Sequence, residues 1–571
     1  MGRNQFLTIL CVQLWAFING CRSTAIQAAD SEPGTTATSV TPIRCPPPSP
    51  NIFADIHVNP KSDALRAALS QVDRMASDVA SQAGIDSIML AIVAPGGVLF
   101  EKGYGTLRAN ETAPALGKVP DRHSIYRLAS TSKMFAVLET LLLREKGALS
   151  WDDPVHKYIP EFKPPRYGWA DRGSRGGVDG EEPHVTLREL ASHMAGIGRD
   201  WPPQTNLTVW PTTTPWDLND FGPPKTFQRI MNAVASYPLS QKTYHYPIYS
   251  NTAINILGLA NVAANQKASS RPRNEPSLYK DLIKRDIFDR LGFTGSFFEI
   301  PNNSKTRDRV AVPSVLSSMA DKVFDNAETA AGAQYGSTAD LENLMQNLLN
   351  NKDKNRLIPQ RVMREWLRPL HVWPSGDESV GAPWEISNVA NTVVYGKAGD
   401  IGGYHSDFSL VPDYSYGITL LSTGPSRAGH GLVLDIVRAL QPTLRALQEA
   451  ELSQRFVGTW ARGNDTAKII NRGEALYLDQ LVVGGIDVVK FVTELIWGPG
   501  ASIVPLPMWS TGRLGEFRLA LGGNGDNSTC LDYWTFFDPG VHSRDAPLDL
   551  IYWKDDVLFY PSSGVSFIRS G

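Results

Sequence analysis

Ser130 and Lys133 are separated by two residues, and such a pair could form the reactive centre of a serine hydrolase. The apolar residues that follow recur at steps of three and four positions, which predicts a buried helix that begins near Ser130 and stops at Gly147. Free N–H groups and the positive dipole end at a helix start favour developing negative charge. A desolvated lysine on the same side loses its proton more easily and can help deprotonate the serine hydroxyl.

The Ser-x-x-Lys spacing occurs twice in the chain. Its second occurrence, Ser277 and Lys280, lies in a polar stretch next to Pro276, where nothing indicates chemistry. For Ser130 itself, the alternative interpretation is a helix N-cap with an exposed lysine one turn later. The choice between these interpretations therefore depends on other motifs in the chain.

Two further polar motifs follow in chain order, Tyr249-Ser-Asn251 and Lys397-Ala-Gly399. The elements Ser-x-x-Lys, Tyr-x-Asn and Lys-x-Gly, in this order, resemble the serine β-lactamase and penicillin-binding-protein superfamily in the arrangement of the class C β-lactamases. The resemblance covers about residues 65–445 and includes the connecting segments 148–162, 185–197, 335–341 and 397–412. It implies a β-lactamase/transpeptidase-like α/β (α+β) domain, with an antiparallel sheet flanked by helices.

The resemblance also implies catalytic roles. Ser130 matches the acylated nucleophile and Lys133 its activating partner. Tyr249 matches the tyrosine that exchanges protons between the nucleophile, the leaving group and the incoming water or alcohol, a role for which a phenol of lowered pKa is needed. Lys133 and Lys397 would be the cations that lower this pKa. Asn251 would donate to the bound acyl group or position Lys133.

The third motif departs from the β-lactamase pattern. The resemblance implies that the backbone N–H of Asp400, on the strand after Gly399, joins that of Ser130 in holding the oxyanion. Where β-lactamases usually have Lys-Thr-Gly and a small residue, this chain has Ala398 and Asp400. The missing hydroxyl and the added negative charge disfavour a substrate carboxylate. We therefore expect a neutral ester or amide, as in the esterase, transesterase and D-stereospecific peptidase relatives.

His193 and His405 are the histidines that could complete a serine triad. Because Lys133 and Tyr249 already fill the base role and both histidines lie in segments that resemble family scaffold, we interpret them as structural. No Cys or His cluster has the spacing of a metal site, and Gly402-Gly403 lacks the surroundings of a phosphate loop. The sequence predicts no metal and no cofactor.

Composition limits the partners. A chain of 571 residues with 42% hydrophobic and 20% charged residues is typical of a soluble protein with two domains and extensions. A net charge of −3 provides no basic field for nucleic acid and no charged run for a membrane surface. We therefore expect a small-molecule ester, amide or peptide substrate. The oligomeric state cannot be predicted from these features.

The N-terminal segment predicts export. Residues 6–18 form an apolar run after Arg3, too short to span a bilayer comfortably, which favours a signal peptide over an uncleaved anchor or a core segment. The predicted organisation is a signal peptide (1–25), a Pro/Ser/Thr-rich linker (26–63), a catalytic domain (64–450) and an antiparallel β domain (451–571).

An exported chain can form a disulfide and carry glycans. The expected disulfide joins Cys45 to Cys530, although the sequence does not establish the connectivity. Asn-x-Ser/Thr sites that would permit glycosylation occur at Asn110, Asn206, Asn302, Asn464 and Asn527.

Together these features predict a secreted serine hydrolase that acts on an ester or amide through an acyl-enzyme on Ser130. Two alternatives stay open. One is an acyltransferase or transesterase that tailors a secondary metabolite, because hydrolysis and transfer use the same residues. The other is a non-catalytic binding protein on the same fold.

Overall fold

The computed structural model describes residues 44–56, 58–59, 61–111, 118–164, 167–168, 183–203, 223–523, 525 and 527–570. The described chain divides into two compact units. The larger unit is Phe53–Leu444, and the smaller unit combines the residues up to Ile52 with those from Arg445 onward. The predicted signal peptide and most of the linker lie outside the described residues. So do the centres of two segments, near residues 170 and 210, whose glycine, proline and polar content predicts loops.

The larger unit is built on an eight-stranded antiparallel sheet in the order β2-β1-β10-β9-β8-β7-β6-β5, and a separate two-stranded ladder pairs β3 with β4. The strands are β1 (Ser87–Ala94), β2 (Gly97–Gly105), β3 (Ile125–Arg127), β4 (Tyr335–Ser337), β5 (His371–Val372), β6 (Glu378–Val380), β7 (Glu385–Val389), β8 (Thr392–Ile401), β9 (Tyr404–Val411) and β10 (Tyr416–Thr423).

Three neighbouring strands, β1, β10 and β9, are buried along their whole length. Their apolar runs match strands covered on both faces. The two apolar runs on either side of Pro95-Gly-Gly97 predict a hairpin, which the antiparallel pairing of β1 and β2 confirms. The glycine content of residues 396–403 predicts a turn over this whole stretch, and this prediction is wrong, because β8 continues to Ile401. Only Gly402 and Gly403 form the turn, with φ values of 51° and 81° that glycine adopts without strain.

Helices cover the sheet and carry the first two motifs. They are α1 (Asp63–Ala80), α2 (Ser132–Glu145), α3 (Leu187–Ala191), α4 (Phe227–Ser236), α5 (Asn251–Ala268), α6 (Tyr279–Ile283), α7 (Asp289–Leu291), α8 (Ser304–Arg307), α9 (Thr329–Gly332), α10 (Thr338–Leu349), α11 (Gln360–Trp366) and α12 (Gly429–Phe456), whose residues belong in part to each unit. The sequence of residues 278–291 predicts a single helix, but a π-helical turn, Lys284–Phe288, interrupts it.

The helix that follows Ser130 begins slightly later than the apolar periodicity predicts. Residues Ala129–Thr131 form a 3₁₀ turn, and the α-helix starts at Ser132. Ala129 has a φ of 46°, so the chain makes a sharp left-handed step immediately before Ser130. The helix is buried from Ser132 to Leu143 and ends at Glu145, just before Gly147, as predicted.

The smaller unit is an antiparallel β barrel, which confirms the predicted C-terminal β domain. Its sheet has the order β12-β11-β21-β20-β19-β16-β15-β13-β14, and an additional pairing of β12 with β13 closes it. The elements are β11 (Gly458–Arg462), β12 (Asp465–Arg472), β13 (Ala475–Val483), β14 (Ile486–Asp487), α13 (Val488–Trp497), β15 (Leu506–Ser510), β16 (Glu516–Leu519), α14 (Cys530–Trp534), β17 (His542–Ser543), β18 (Ala546–Pro547), β19 (Leu550–Lys554), β20 (Val557–Tyr560) and β21 (Val565–Ser570).

A disulfide joins Cys45 to Cys530, so the predicted pairing is confirmed. It ties the segment that precedes the larger unit to the barrel, within the smaller unit. Cys45 is buried with Ala520 and Tyr533. In the part of the chain that the structure describes, no helix is both long and apolar enough to cross a membrane.

Candidate active site

Ser130 lies at the junction of two of the predicted motifs. Its Oγ is 2.9 Å from Lys133 Nζ and 2.6 Å from Tyr249 OH, and both groups are placed to donate to it. Lys133 is completely buried and also donates to the carbonyl of Ala331 at 2.6 Å. The structure therefore brings together the three residues predicted to be catalytic, although Ser130 and Tyr249 are 119 positions apart.

The charges around Tyr249 favour its ionised form. Burial alone would raise the pKa of this phenol, but the cations Lys133 and Lys397 hold it below its usual 10. The Nζ atoms of these two lysines lie 5.0 and 5.4 Å from the centre of the ring, and the guanidinium of Arg199 lies 4.8 Å from it. Burial lowers the pKa of Lys133. Each partner of Ser130 thus loses its own proton more readily than its solvated counterpart, and the deprotonated form can accept the Ser130 proton.

Lys397 lies on β8, is buried, and pairs with a carboxylate that the sequence analysis missed. Its Nζ forms a close ion pair with Glu385 on the neighbouring strand β7 and donates to the carbonyl of Ala398 at 2.7 Å. The other Glu385 oxygen accepts from the Ala398 N–H at 3.0 Å. Burial opposes the charged form of Lys397, but Glu385 and Tyr249 raise its pKa above the usual value. Lys397 therefore stays a cation beside Tyr249.

Strand β8 touches the segment that carries the nucleophile, and Gly399 permits this contact. A Cβ atom at Gly399 would lie 2.3 Å from the Leu128 carbonyl oxygen and 2.8 Å from the Ser130 nitrogen, distances that no side chain tolerates. Thr131 Oγ1 donates to the Lys397 carbonyl at 2.8 Å, and Ser406 Oγ donates to that of Leu128 at 2.6 Å. These contacts fix the third motif against the first.

The Tyr-x-Asn motif lies at the start of α5. Ser250 caps this helix through a hydrogen bond from the Ala253 N–H to its Oγ at 2.9 Å, so Tyr249 lies just outside the helix and Asn251 is its first residue. Asn251 Nδ2 donates to Asp200 Oδ1 at 3.0 Å. Because a carboxylate only accepts, this contact identifies the amide nitrogen of Asn251 and leaves its oxygen on the other side.

The carboxylate of Asp400 is paired, which modifies the expectation of an added negative charge. It lies 2.5 Å from His405 Nδ1 and 3.6 Å from Arg427 Nε. Burial would raise the pKa of Asp400, but the hydrogen bond from His405 and the charges of His405 and Arg427 lower it. The sequence suggested an isolated anion here, whereas the structure offsets this charge with two basic groups on neighbouring segments.

His193 and His405 are both close to the site. The ring of His193 stacks on that of Tyr249 with centroids 4.7 Å apart, and its Nδ1 accepts from the Ser250 N–H at 3.1 Å. Burial and nearby cations lower the pKa of His193 well below its usual value, so the ring is neutral. His405 Nε2 lies 3.0 Å from the carbonyl of Gly424. By these contacts both histidines pack against the site and orient neighbouring groups.

The site opens into a cavity of about 850 Å³. It is lined by residues of all three motifs, by charged residues and by apolar ones, among them Ser130, Arg199, Asp200, Lys225, Tyr249, Asn251, Val315, Leu316, Phe324, Glu328, Glu385, Lys397, Asp400, Ile401 and Arg427. Among the residues that the structure describes, no group of three or more His, Cys, Asp and Glu side chains could hold a metal ion. The reactive groups present are those of a serine acyl hydrolase.

Comparison with known proteins agrees with this arrangement. The sequence model of the Beta-lactamase family matches residues 72–442, and the chain belongs to this family. It is 34% identical over 307 residues to Beta-lactamase-like protein str6 of Strobilurus tenacellus, which covers 52% of this chain and 99% of the relative. It is 39% identical over 238 residues to Beta-lactamase-like protein str5 of the same organism, which covers 41% and 84% respectively.

The fold is also found among solved structures. The crystal structure of a β-lactamase/D-alanine carboxypeptidase from Yersinia pestis, complexed with citrate, aligns with a TM-score of 0.51 and 20% sequence identity. The alignment covers 67% of this chain and 99% of that chain. The larger unit therefore has the fold of the serine β-lactamases and penicillin-binding proteins.

Four residues of the site were missed by the sequence analysis, namely Glu385, Arg199, Asp200 and Arg427. Glu385 is the first residue of a short strand, and the other three lie outside the helices and strands. No spacing relative to a recognised motif distinguishes them from ordinary surface charges. Only the pairing of β7 with β8, which places Glu385 opposite Gly396, could have indicated one of them.

Proposed function

We propose that this protein is a secreted serine hydrolase that cleaves a neutral ester or amide through a covalent acyl-enzyme on Ser130. The single observation that carries the proposal is the position of Ser130 Oγ within hydrogen-bond distance of both Lys133 Nζ and Tyr249 OH. Two groups whose pKa values are lowered by their surroundings are thus in direct contact with one hydroxyl. This geometry is the requirement for activation of a serine nucleophile.

Acylation follows from these positions. The deprotonated form of Tyr249 or Lys133 takes the Ser130 proton while Oγ forms a bond to the substrate carbonyl carbon. The negative charge that develops on the carbonyl oxygen is stabilised by the backbone N–H groups of Ser130 and Asp400, which lie on the two segments that meet at Gly399. The carbon–oxygen or carbon–nitrogen bond to the leaving group then breaks. The leaving group receives the proton that Tyr249 or Lys133 took.

Deacylation reverses the same proton transfers with a new nucleophile. Tyr249 takes a proton from water, the water oxygen bonds to the acyl carbon, and the bond to Ser130 Oγ breaks as this oxygen regains a proton. An acceptor alcohol could replace water, which would make the enzyme an acyltransferase or transesterase that tailors a secondary metabolite. The cavity of about 850 Å³ supports this second candidate, because it has room for an acceptor beside an acyl group.

We also propose that Asn251 contacts the substrate or positions Lys133. Because Asp200 holds its amide nitrogen, the amide oxygen is the atom available to accept from Lys133 or from a donor on the substrate. Lys397 contributes its charge to the ionisation of Tyr249, and Glu385 holds that charge in place. Lys133 and Tyr249 are thus assigned to proton transfer. Lys397 and Glu385 are assigned to the electrostatic support of Tyr249.

The preference for a neutral substrate rests chiefly on Ala398. This residue lacks the hydroxyl that grips a substrate carboxylate in the pattern that the third motif resembles. Because Asp400 is paired with His405 and Arg427, its charge adds less repulsion than an isolated carboxylate would. The missing donor therefore accounts for more of the expected selectivity than the added charge.

Secretion is part of the proposal and is supported by the Cys45–Cys530 disulfide, since such bonds persist in oxidising compartments. The apolar run near the N-terminus supports the same localisation. We propose the catalytic domain over residues 64–450 and the β domain over 451–571 as the two folded parts of the secreted protein.

The test of the function compares substrates on the full chain. We expect p-nitrophenyl butyrate to be hydrolysed faster than nitrocefin, whose carboxylate lacks a donor at Ala398. Ser130→Ala should abolish this hydrolysis, and Ser277→Ala, at the second Ser-x-x-Lys site, should leave it intact. Hydrolysis that survives Ser130→Ala would contradict the acyl-enzyme. Absence of any turnover in the wild-type protein would favour the binding-protein alternative.

A further inference from the structure

The catalytic cavity is lined in part by large apolar side chains, here called the apolar wall: Val315, Leu316, Phe324 and Ile401. Val315 and Leu316 are 37% and 45% exposed, which is unusual for side chains of this type at adjacent positions. The charged residues Arg199, Asp200 and Lys225 line the same cavity. The cavity that contains Ser130 is thus amphipathic.

The backbone of the apolar wall has a conformational cost at Leu316. Leu316 has φ and ψ of 50° and 38°, a left-handed conformation that a branched, bulky residue rarely adopts. Such conformations persist where the surrounding structure over-determines them, and they cluster at functional sites. Exposed apolar side chains at the mouth of a reactive cavity are covered when a ligand with an apolar group binds.

Arg127 fixes the segment that forms this wall. It lies three positions before Ser130 and is fully buried. Its Nε donates to the Met319 carbonyl at 2.5 Å, and its terminal nitrogens donate to the carbonyls of Lys322 and, at 3.4 Å, Ala333. A planar guanidinium has several N–H donors, so a single arginine can bind several carbonyls at once.

Two further contacts hold the same segment in place. The Arg127 guanidinium lies 5.4 Å from the centre of the Phe324 ring. On the other side, the turn at Gly402 packs so closely on Met319 that a Cβ atom at Gly402 would lie 2.8 Å from the Met319 Cγ. The nucleophile segment, the turn after β8 and the apolar wall are therefore one packed arrangement.

We propose that the apolar wall binds an extended apolar group of the substrate, so that the enzyme's substrates are esters with a medium-length alkyl or aryl chain, and that Arg127 is the positioning residue of this wall. This inference rests on the proposed function, since the chain must be joined to a carbonyl that Ser130 attacks. An apolar chain would cover Val315 and Leu316 and leave the charged lining residues for the polar part of the substrate.

The test measures kcat/KM for p-nitrophenyl acetate, butyrate and octanoate, and for acetate esters of ethanol, butanol and octanol. The two series reveal whether the apolar chain belongs to the acyl or to the alcohol side. In one series we expect kcat/KM to rise about tenfold or more from the shortest to the longest chain. Leu316→Asn should reduce this long-to-short ratio to about a third or less.

Val323 supplies the matched control, because it is 57% exposed on the same segment but does not line the cavity. Val323→Asn should leave the long-to-short ratio unchanged. Arg127→Lys removes the planar donor set and should lower the same ratio, with Leu316→Asn as the independent variant if the Arg127 variant does not fold. Ser130 labelling by a small fluorophosphonate, measured alongside, reports separately on the nucleophile.

The outcomes separate the two proposals. A ratio near one in both series, on wild-type protein whose Ser130 is labelled, would overturn the apolar wall and leave the proposed function standing. Equal effects of the Leu316 and Val323 variants would overturn it in the same way. Failure of Ser130 to be labelled, with no ester cleaved, would overturn the proposed function and this inference together.

Discussion

The chain contains the spacing Ser-x-x-Lys twice, and the two places differ in what surrounds the lysine. Lys133 is completely buried, and its Nζ donates to the Ser130 hydroxyl and to the backbone carbonyl of Ala331. Lys280 has a side chain that is 35% exposed and pairs with Glu299 at 2.6 Å. Ser277 is exposed and precedes the helix that begins at Tyr279.

The difference shows that spacing supplies proximity, while burial and partners supply chemistry. A lysine paired with a carboxylate is stabilised as a cation and is a poor base. A lysine that is desolvated next to other cations gives up its proton more easily, and burial lowers the pKa of Lys133. The phenol and the second cation that complete the first site come from Tyr249 and Lys397, which are distant in the sequence.

The largest expected effect comes from replacing Lys133, and the same replacement of Lys280 provides the comparison. Lys133→Met should keep the buried volume and remove the amine, and it should lower kcat for p-nitrophenyl butyrate by about 1000-fold. Lys280→Met, the matched variant at the second site, should change kcat by less than about twofold, as surface substitutions usually do. Equal effects of the two substitutions would erase the distinction between the sites.

Tyr249→Phe should have the next largest effect. It removes one hydroxyl from a ring that stays stacked on His193, so the fold should be retained. Turnover should fall by about 100-fold if the phenol relays the proton. Steady-state kinetics with p-nitrophenyl butyrate, together with a thermal unfolding curve, would measure both quantities. Near-normal turnover would remove Tyr249 from the mechanism and return attention to His193 and His405.

The dependence of the rate on pH should be smaller and has a definite sign. The base form of Tyr249 or Lys133 is required, and the pKa of each is lowered from its ordinary value of 10.0 or 10.5. Below the lowered pKa, kcat/KM should rise with pH by up to about tenfold per unit, and it should level off at a lower pH than a solvated phenol or amine would give. A rate that falls between pH 6 and 9 would indicate that the protonated form of the base is the active one.

Much of the site could be predicted from the sequence, because each motif is local. A serine and a lysine two positions apart, a serine that caps a helix after Tyr249, and a glycine between Ala398 and Asp400 are each encoded within a few residues. The family resemblance rests on the order of these three motifs in the chain. The fold class follows from the family resemblance, and the C-terminal β domain and the Cys45–Cys530 pair follow from local patterns and residue counts. All three are confirmed.

The remaining features depend on contacts between distant segments, which a periodicity does not encode. Glu385 reaches Lys397 because β7 pairs with β8, and Asp400 contacts His405 because β8 pairs with β9. The predicted turn over residues 396–403 failed for a related reason. Its small residues serve close packing of a strand on Ser130, whereas in isolation they are typical of a loop.

The measurement that tests the central claim most directly is the covalent labelling of the two Ser-x-x-Lys sites in one experiment. The folded full chain would be treated with a fluorophosphonate or an activated-ester probe, and the modified peptide would be mapped by mass spectrometry. The account predicts one adduct per chain, on Ser130, which disappears in Ser130→Ala and persists in Ser277→Ala. An adduct on Ser277 or on another serine, or no adduct on folded protein, would contradict it.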